Sequence, residues 1–155
     1  MIGVPKEVLE VIGEVAVNAA ILETVMVRVA IVIDHTLDHD HLLKSTTRLR
    51  DALAKTTEAL DAANPQLGGR ATQWRSKAER KLEDRNAVVH AVIVHDDTTS
   101  PSTLSSWHPR NDVFQPFDLL DARALAKDIG TCAAAGIHLS NLIFEKFPSG
   151  VVHQF

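Results

Sequence analysis

Apolar residues recur along most of this chain at intervals of three and four, the spacing that lines one face of an α-helix. The first series, Val8, Ile12, Val15, Ala19, Leu22, Val25, Met26, Val29 and Val32, predicts a helix from just after Pro5 to about residue 33. Pro5 suits a first turn and Glu7 favours its positive end. From Ala16 onward the opposite side is apolar as well, which predicts a helix enclosed by neighbours. Asn18, Glu23 and Arg28 interrupt this stretch, so a buried helix is expected rather than a bilayer span. Residues 34–40 break the pattern. A second amphipathic helix over about 42–63 is drawn by Leu42, Leu49, Leu53 and Leu60 and ends at Asn64-Pro65. Gly68-Gly69 reads as a turn, followed by a third helix from near Thr72 to about His95. The stretch 96–116, rich in Asp, Ser, Thr and Pro, reads as a long loop. Asp118 then caps a fourth helix, from Leu119 to about Lys146, which stops before Pro148-Ser149-Gly150. Four long helices with short early connections predict one all-α domain over residues 1–155, an up-and-down bundle with a long loop before the last helix.

Composition sharpens this picture in three places. With 155 residues, 45% hydrophobic and 23% charged, the chain is large enough to bury a sizeable core. Tyr is absent and only 7 Gly occur, a helix-forming palette. The formal charge of −4 does not mark the whole surface as a nucleic-acid binder. Yet residues 44–85 hold 10 of the 16 basic residues and 6 of the 20 acidic ones, a local +4 against −8 elsewhere. That is either a solvated mixed-charge surface or a basic face able to hold a phosphate chain. The single Cys132 excludes an internal disulfide and a zinc–cysteine cluster, and fits a reducing, cytoplasmic setting. Its neighbours Gly130, Thr131, Ala133 and Ala134 point to tight helix packing. No basic segment followed by a cleavable apolar stretch opens the chain, and no membrane partner is expected.

Candidate chemistry gathers on the third helix. Trp74, Ala78, Leu82, Val89 and Val92 form a stripe at helical spacing, and Arg85 falls on it. A guanidinium there has to be paired, hydrated or turned to a ligand, because burying it bare costs several kcal/mol. Asn86 and His90, four residues apart, share the adjoining flank. From Ala87 to Val94 every residue except His90 is apolar, which implies the bundle core on one side and another subunit on the other. The structural alternative pairs Arg85 with a core carboxylate and leaves His90 as a satisfied interior histidine.

The run Arg85-Asn86-Ala87-Val88-Val89-His90 resembles the signature of HEPN domains (higher eukaryotes and prokaryotes nucleotide-binding), an Arg, then four to six residues of which the first is typically polar, then a His, on a late helix of a helical bundle. The resemblance implies a metal-independent endoribonuclease without cofactors, with two copies of the motif facing each other across the two-fold axis of a homodimer. RNA supplies its own nucleophile in the 2′-hydroxyl, so no Ser or Cys is needed. His90 would act as general acid or base and Arg85 would neutralise charge on the scissile phosphate. Asn86 would orient either of them. Products would carry 2′,3′-cyclic phosphate and 5′-hydroxyl ends. Such enzymes often act as toxins or defence effectors restrained by an inhibitory, antitoxin-like protein. Some toxins of the family carry Tyr two residues after the His, where a partner modifies it. Here that position is Val92, so that mode of control is unavailable to this chain.

Arg75, Lys81, His95, Trp107 and Arg110 are the candidate substrate-binding residues. Trp107 and Arg110 either stack on a base or pin the loop to the bundle; His95 either marks the helix end or lines a cleft beside His90. Asp34, His35, Asp38, His39, Asp40 and His41 place six potential ligands in eight residues, but alternating Asp and His in an interhelical segment mostly serve as caps or stay solvated, and no metal is expected. Beside the nuclease stands a function of another class, a non-catalytic helical dimer that binds a protein or nucleotide partner.

Overall fold

Pro5 starts α1 (Lys6–Ile33), and its first-turn Glu7 lies at the positive helix end. The computed structural model describes residues 4–89, 92–95, 104–108 and 113–152. Val8, Val11, Val15, Ala19, Leu22, Met26, Val29 and Ile33 of α1 are buried, the face drawn by the three-and-four spacing. The opposite side is not enclosed as expected: Val17 and Ile21 are 60% and 48% exposed. By length and composition α1 is also long and apolar enough to cross a membrane.

Beyond α1 the chain turns through residues 34–38, where Asp34 accepts hydrogen bonds from the Thr36 amide and hydroxyl. A short α2 (His39–Leu43) is capped by Asp38, and α3 (Thr46–Ala63) by Ser45, whose hydroxyl accepts from the Arg48 amide. The expected second helix is therefore two, split at Lys44-Ser45. Asn64-Pro65 ends α3 and at once begins α4 (Pro65–Val89), with the Asn64 side chain accepting from the Leu67 amide. Pro at a first helical position loses nothing, since its missing N–H would have no partner there. Gly68-Gly69 is thus helix and not turn. Gly68 is buried because α3 comes so close that a Cβ would overlap the Asp61 backbone.

Two further expectations change after α4. The third helix is described as far as Val89 and does not continue to His95, since Val92–His95 form a strand, β1. Three β-branched residues in Val92-Ile93-Val94 favour extended backbone over helix. In place of a long loop, β1, β2 (Leu104–His108) and β3 (Val113–Phe117) make an antiparallel sheet in the order β1-β2-β3. Val92 pairs with Trp107 and His95 with Leu104; Trp107 in turn pairs with Phe114. Asp118 then accepts from the Leu120 and Asp121 amides and opens α5 (Leu119–Lys146), as its sequence predicts.

Helix directions follow from the cross-contacts. Asn18 donates to the Ala126 carbonyl and Arg28 to the Ser140 hydroxyl, so α1 and α5 run parallel. Lys81 with Asp128, and Trp74 with the Cys132 carbonyl, set α4 antiparallel to α5. Arg50 with Glu83, and Asp61 with Gly68, set it antiparallel to α3. Hence α1, α3 and α5 share one direction, and the bundle is helical but not up-and-down; residues 34–45 carry the chain back between α1 and α3. The main core joins Leu22, Met26, Ile33, Leu49, Leu53, Leu60, Leu82, Ile129 and Ile143. A smaller cluster of Val8, Val11 and Ala122 closes the end where α4 stops, with Val88 packed against it. Residues 151 and 152 donate their amides to the Ile33 carbonyl, closing the far end of α1.

Candidate active site

The end of α4 brings together three polar side chains. Arg85 lies on the flank of α4 that faces α1, with its side chain 19% exposed. Its Nη2 reaches Glu23 Oε1 at 3.1 Å, and Glu23 is 26% exposed. Its Nε donates to Asn86 Oδ1 at 2.7 Å. Two contacts on different nitrogens fix the guanidinium plane, which a single contact would leave free to swivel. Val88, one turn on, is packed against the Val8, Val11 and Ala122 cluster. Asn86 and Ala87 are exposed, so the site opens to solvent on that side.

Glu23 is the residue the sequence pattern did not assign. It stands out as a charge inside an apolar run, and so do Asn18 and Arg28. Each interruption answers a specific partner across the bundle: Asn18 the Ala126 carbonyl, Glu23 the Arg85 guanidinium, Arg28 the Ser140 and Asn141 side chains. A buried helix carrying polar residues at such intervals needs partners on its neighbours, and that need was the available signal. The expectation that Arg85 meets either a core carboxylate or a ligand therefore has its first half met by Glu23.

The remaining candidates divide. His90 and Arg110 lie outside the described residues. Trp107 sits in β2 opposite Val92, at the end of the sheet where the chain leaves α4; His95 sits three residues along β1, about 10 Å away. Lys81 is held by Asp128 of α5 at 3.6 Å. Arg75 is about 15 Å along α4 from Arg85, and its Nε is buried without a hydrogen-bond partner among the described residues. Neither joins the Arg85 cluster. In the 34–41 segment Asp34 and Asp38 accept from the Thr36 and Asp40 amides, and Asp40 Oδ1 lies 3.3 Å from the His39 ring. Among the described residues no three His, Cys, Asp or Glu side chains converge on a metal position.

Cys132 faces Trp74 across the α4–α5 contact. Burial pushes its thiol above the usual range, opposed by the charges of Lys77 and Lys81. It is a packing residue, as its small neighbours predict.

Compared with family models, with curated proteins and with solved structures, the chain matches none.

Proposed function

We propose that this chain is a HEPN-like, metal-independent endoribonuclease acting in the cytoplasm as a homodimer, with Arg85, Asn86 and His90 as its catalytic residues. The observation that supports the reading is the fixed guanidinium. A group that stabilises charge developing on a phosphate works best when already oriented, because no reorganisation is then needed during reaction. Glu23 and Asn86 hold Arg85 in that way at the partly open end of α4. His90, one helical turn beyond Asn86 in sequence, supplies the acid–base group with a pKa near neutrality. The 2′-hydroxyl gives up its proton and attacks the adjacent phosphorus, the P–O5′ bond breaks, and the departing O5′ takes a proton, with His90 of one copy or the other as the acid–base group. A 2′,3′-cyclic phosphate and a 5′-hydroxyl result. An enzyme of this kind in a cell needs restraint, so an inhibitory partner protein belongs to the proposal.

The test uses purified full-length protein, RNA and excess chelator. Wild type should cleave, with cyclic-phosphate ends. His90→Ala should lower the rate by about 10²–10⁴-fold. Arg85→Lys keeps a cation for Glu23 but loses the planar contact to phosphate, and should lower it by about 10²–10³-fold while the melting temperature holds. In cells, induced wild type should arrest growth and fragment RNA where His90→Ala does neither.

The Arg85–Glu23 ion pair favours a second reading, in which the chain is a non-catalytic helical dimer that binds a protein or nucleotide partner. On that reading the pair only ties α1 to α4. Glu23→Gln separates the two. It should leave cleavage measurable if Arg85 works on RNA; if the pair is purely structural, wild type cleaves nothing and Glu23→Gln and Arg85→Lys lower the melting temperature alike.

A further inference from the structure

α1 carries a second pattern that its own core does not use. Glu14, Val17, Ile21, Thr24, Arg28 and Ile31 follow at steps of three, four, three, four and three, the alternation of a coiled-coil seam. The first five are exposed and Ile31 is half-buried. An apolar groove of about 550 Å³ runs beside them, walled by Val25, Val32 and Ile137. The seam carries opposite charges at equal distances from Ile21, Glu14 seven residues before it and Arg28 seven after it. Neither has an oppositely charged partner among the described residues. The Arg28 guanidinium is nonetheless held in place, by Ser140 Oγ at 2.9 Å and Asn141 Oδ1 at 2.8 Å.

We propose that α1 pairs antiparallel with α1 of a second copy, about a two-fold axis at Ile21. In that register Ile21 meets itself, Glu14 meets Arg28 once on each side of the axis, and Val17 and Thr24 lie between them, within one residue of level. An isologous contact requires such self-complementarity. Parallel pairing would set Glu14 on Glu14 and Arg28 on Arg28, so the charges select the antiparallel arrangement. They also select protein over lipid, because a bilayer has to take up both charges on the stripe unpaired.

The seam bears on the active site in one respect, which rests on the nuclease reading above. Glu23 lies two residues from Ile21, about 3 Å of helix rise but roughly 160° round the helix. The two Glu23–Arg85 pairs therefore lie level with the axis but on the far side of each α1 from the seam, and dimerisation leaves both copies of the motif uncovered.

The test measures the mass of the full chain by sedimentation equilibrium across the micromolar range. Wild type should approach twice 16.9 kDa, and Ile21→Lys should stay monomeric with unchanged helical circular dichroism. Glu14→Lys, which sets like charges together, should weaken the dimer at least about fivefold, and more at low salt. In a Cys132→Ala background, Ile21→Cys should form a disulfide dimer on mild oxidation. Leu9→Cys, as exposed at 56%, should not, because its two copies would lie about 36 Å apart along the seam. The proposal is overturned by a monomeric wild type, by a dimer that survives Ile21→Lys, by Leu9→Cys linking as readily as Ile21→Cys, or by a monomer that sediments with phosphatidylcholine vesicles. RNA cleavage is assayed on the same samples. A dimer that cleaves nothing removes the nuclease and leaves the seam; cleavage by a monomer does the reverse.

Discussion

A methyl group added at Gly68 would collide with the Asp61 backbone, whereas the same group at Gly69 meets nothing within 4 Å. These adjacent positions of α4 therefore have opposite signs under one substitution. Gly68→Ala should destabilise by about 1–3 kcal/mol, because two helix backbones have to move apart. Gly69→Ala should stabilise by about 0.5–1 kcal/mol, the ordinary gain of replacing an exposed helical glycine. Urea unfolding of both variants beside wild type checks the pair. Cys132 gives a dependence on pH. Its folded thiol titrates above its unfolded value because of burial. The folded state thus holds its proton longer, and the associated stability is complete below the unfolded thiol pKa and lost as pH rises through the folded one. Thermal melts from neutral to alkaline pH should show a smaller alkaline decline in Cys132→Ala than in wild type. A decline that is unchanged would assign it to other groups.

At the scale of elements, the caps separate what was legible from what was not. Asp118 marks the start of α5 in the sequence and accepts two amides there; Asp118→Ala should cost about 1 kcal/mol, measured by thermal or urea unfolding. α1 and α5 were equally legible, since their apolar spacing is long and their ends are marked. Asn64-Pro65 misled because the same dipeptide ends one helix and starts another, and only the packing of Gly68 on Asp61 shows that no turn intervenes. β1 was hidden in a continuous apolar run, which periodicity alone cannot divide between a buried helix and a strand. The strands β2 and β3 lie in a stretch whose Ser, Thr and Pro content reads as loop, and their pairing partners stand nearby only in the fold. At the site, Arg85 was singled out because a cation on an apolar stripe demands an explanation. Glu23 was not, because its partner lies 62 residues away in sequence.

At the scale of the whole molecule, the direction of the helices decides more than their number. The most extensive packing of α1 is with α5, the last helix, along which it runs parallel. Gly136 makes this possible, since a Cβ there would overlap Trp74 and press on Val25. Asn18, Arg28 and the amides of residues 151 and 152 then fasten α1 along its length. The order of synthesis on the ribosome runs against this arrangement. Between the end of α1 and the end of α5 the ribosome adds about 110 residues, roughly 5–20 s at ordinary elongation rates. For that interval the most apolar helix of the chain has emerged without its principal partner, and the side that α5 covers stays exposed even once α3 and α4 have formed. A nascent chain in that condition is a natural client for chaperones that shield apolar helices until translation is complete.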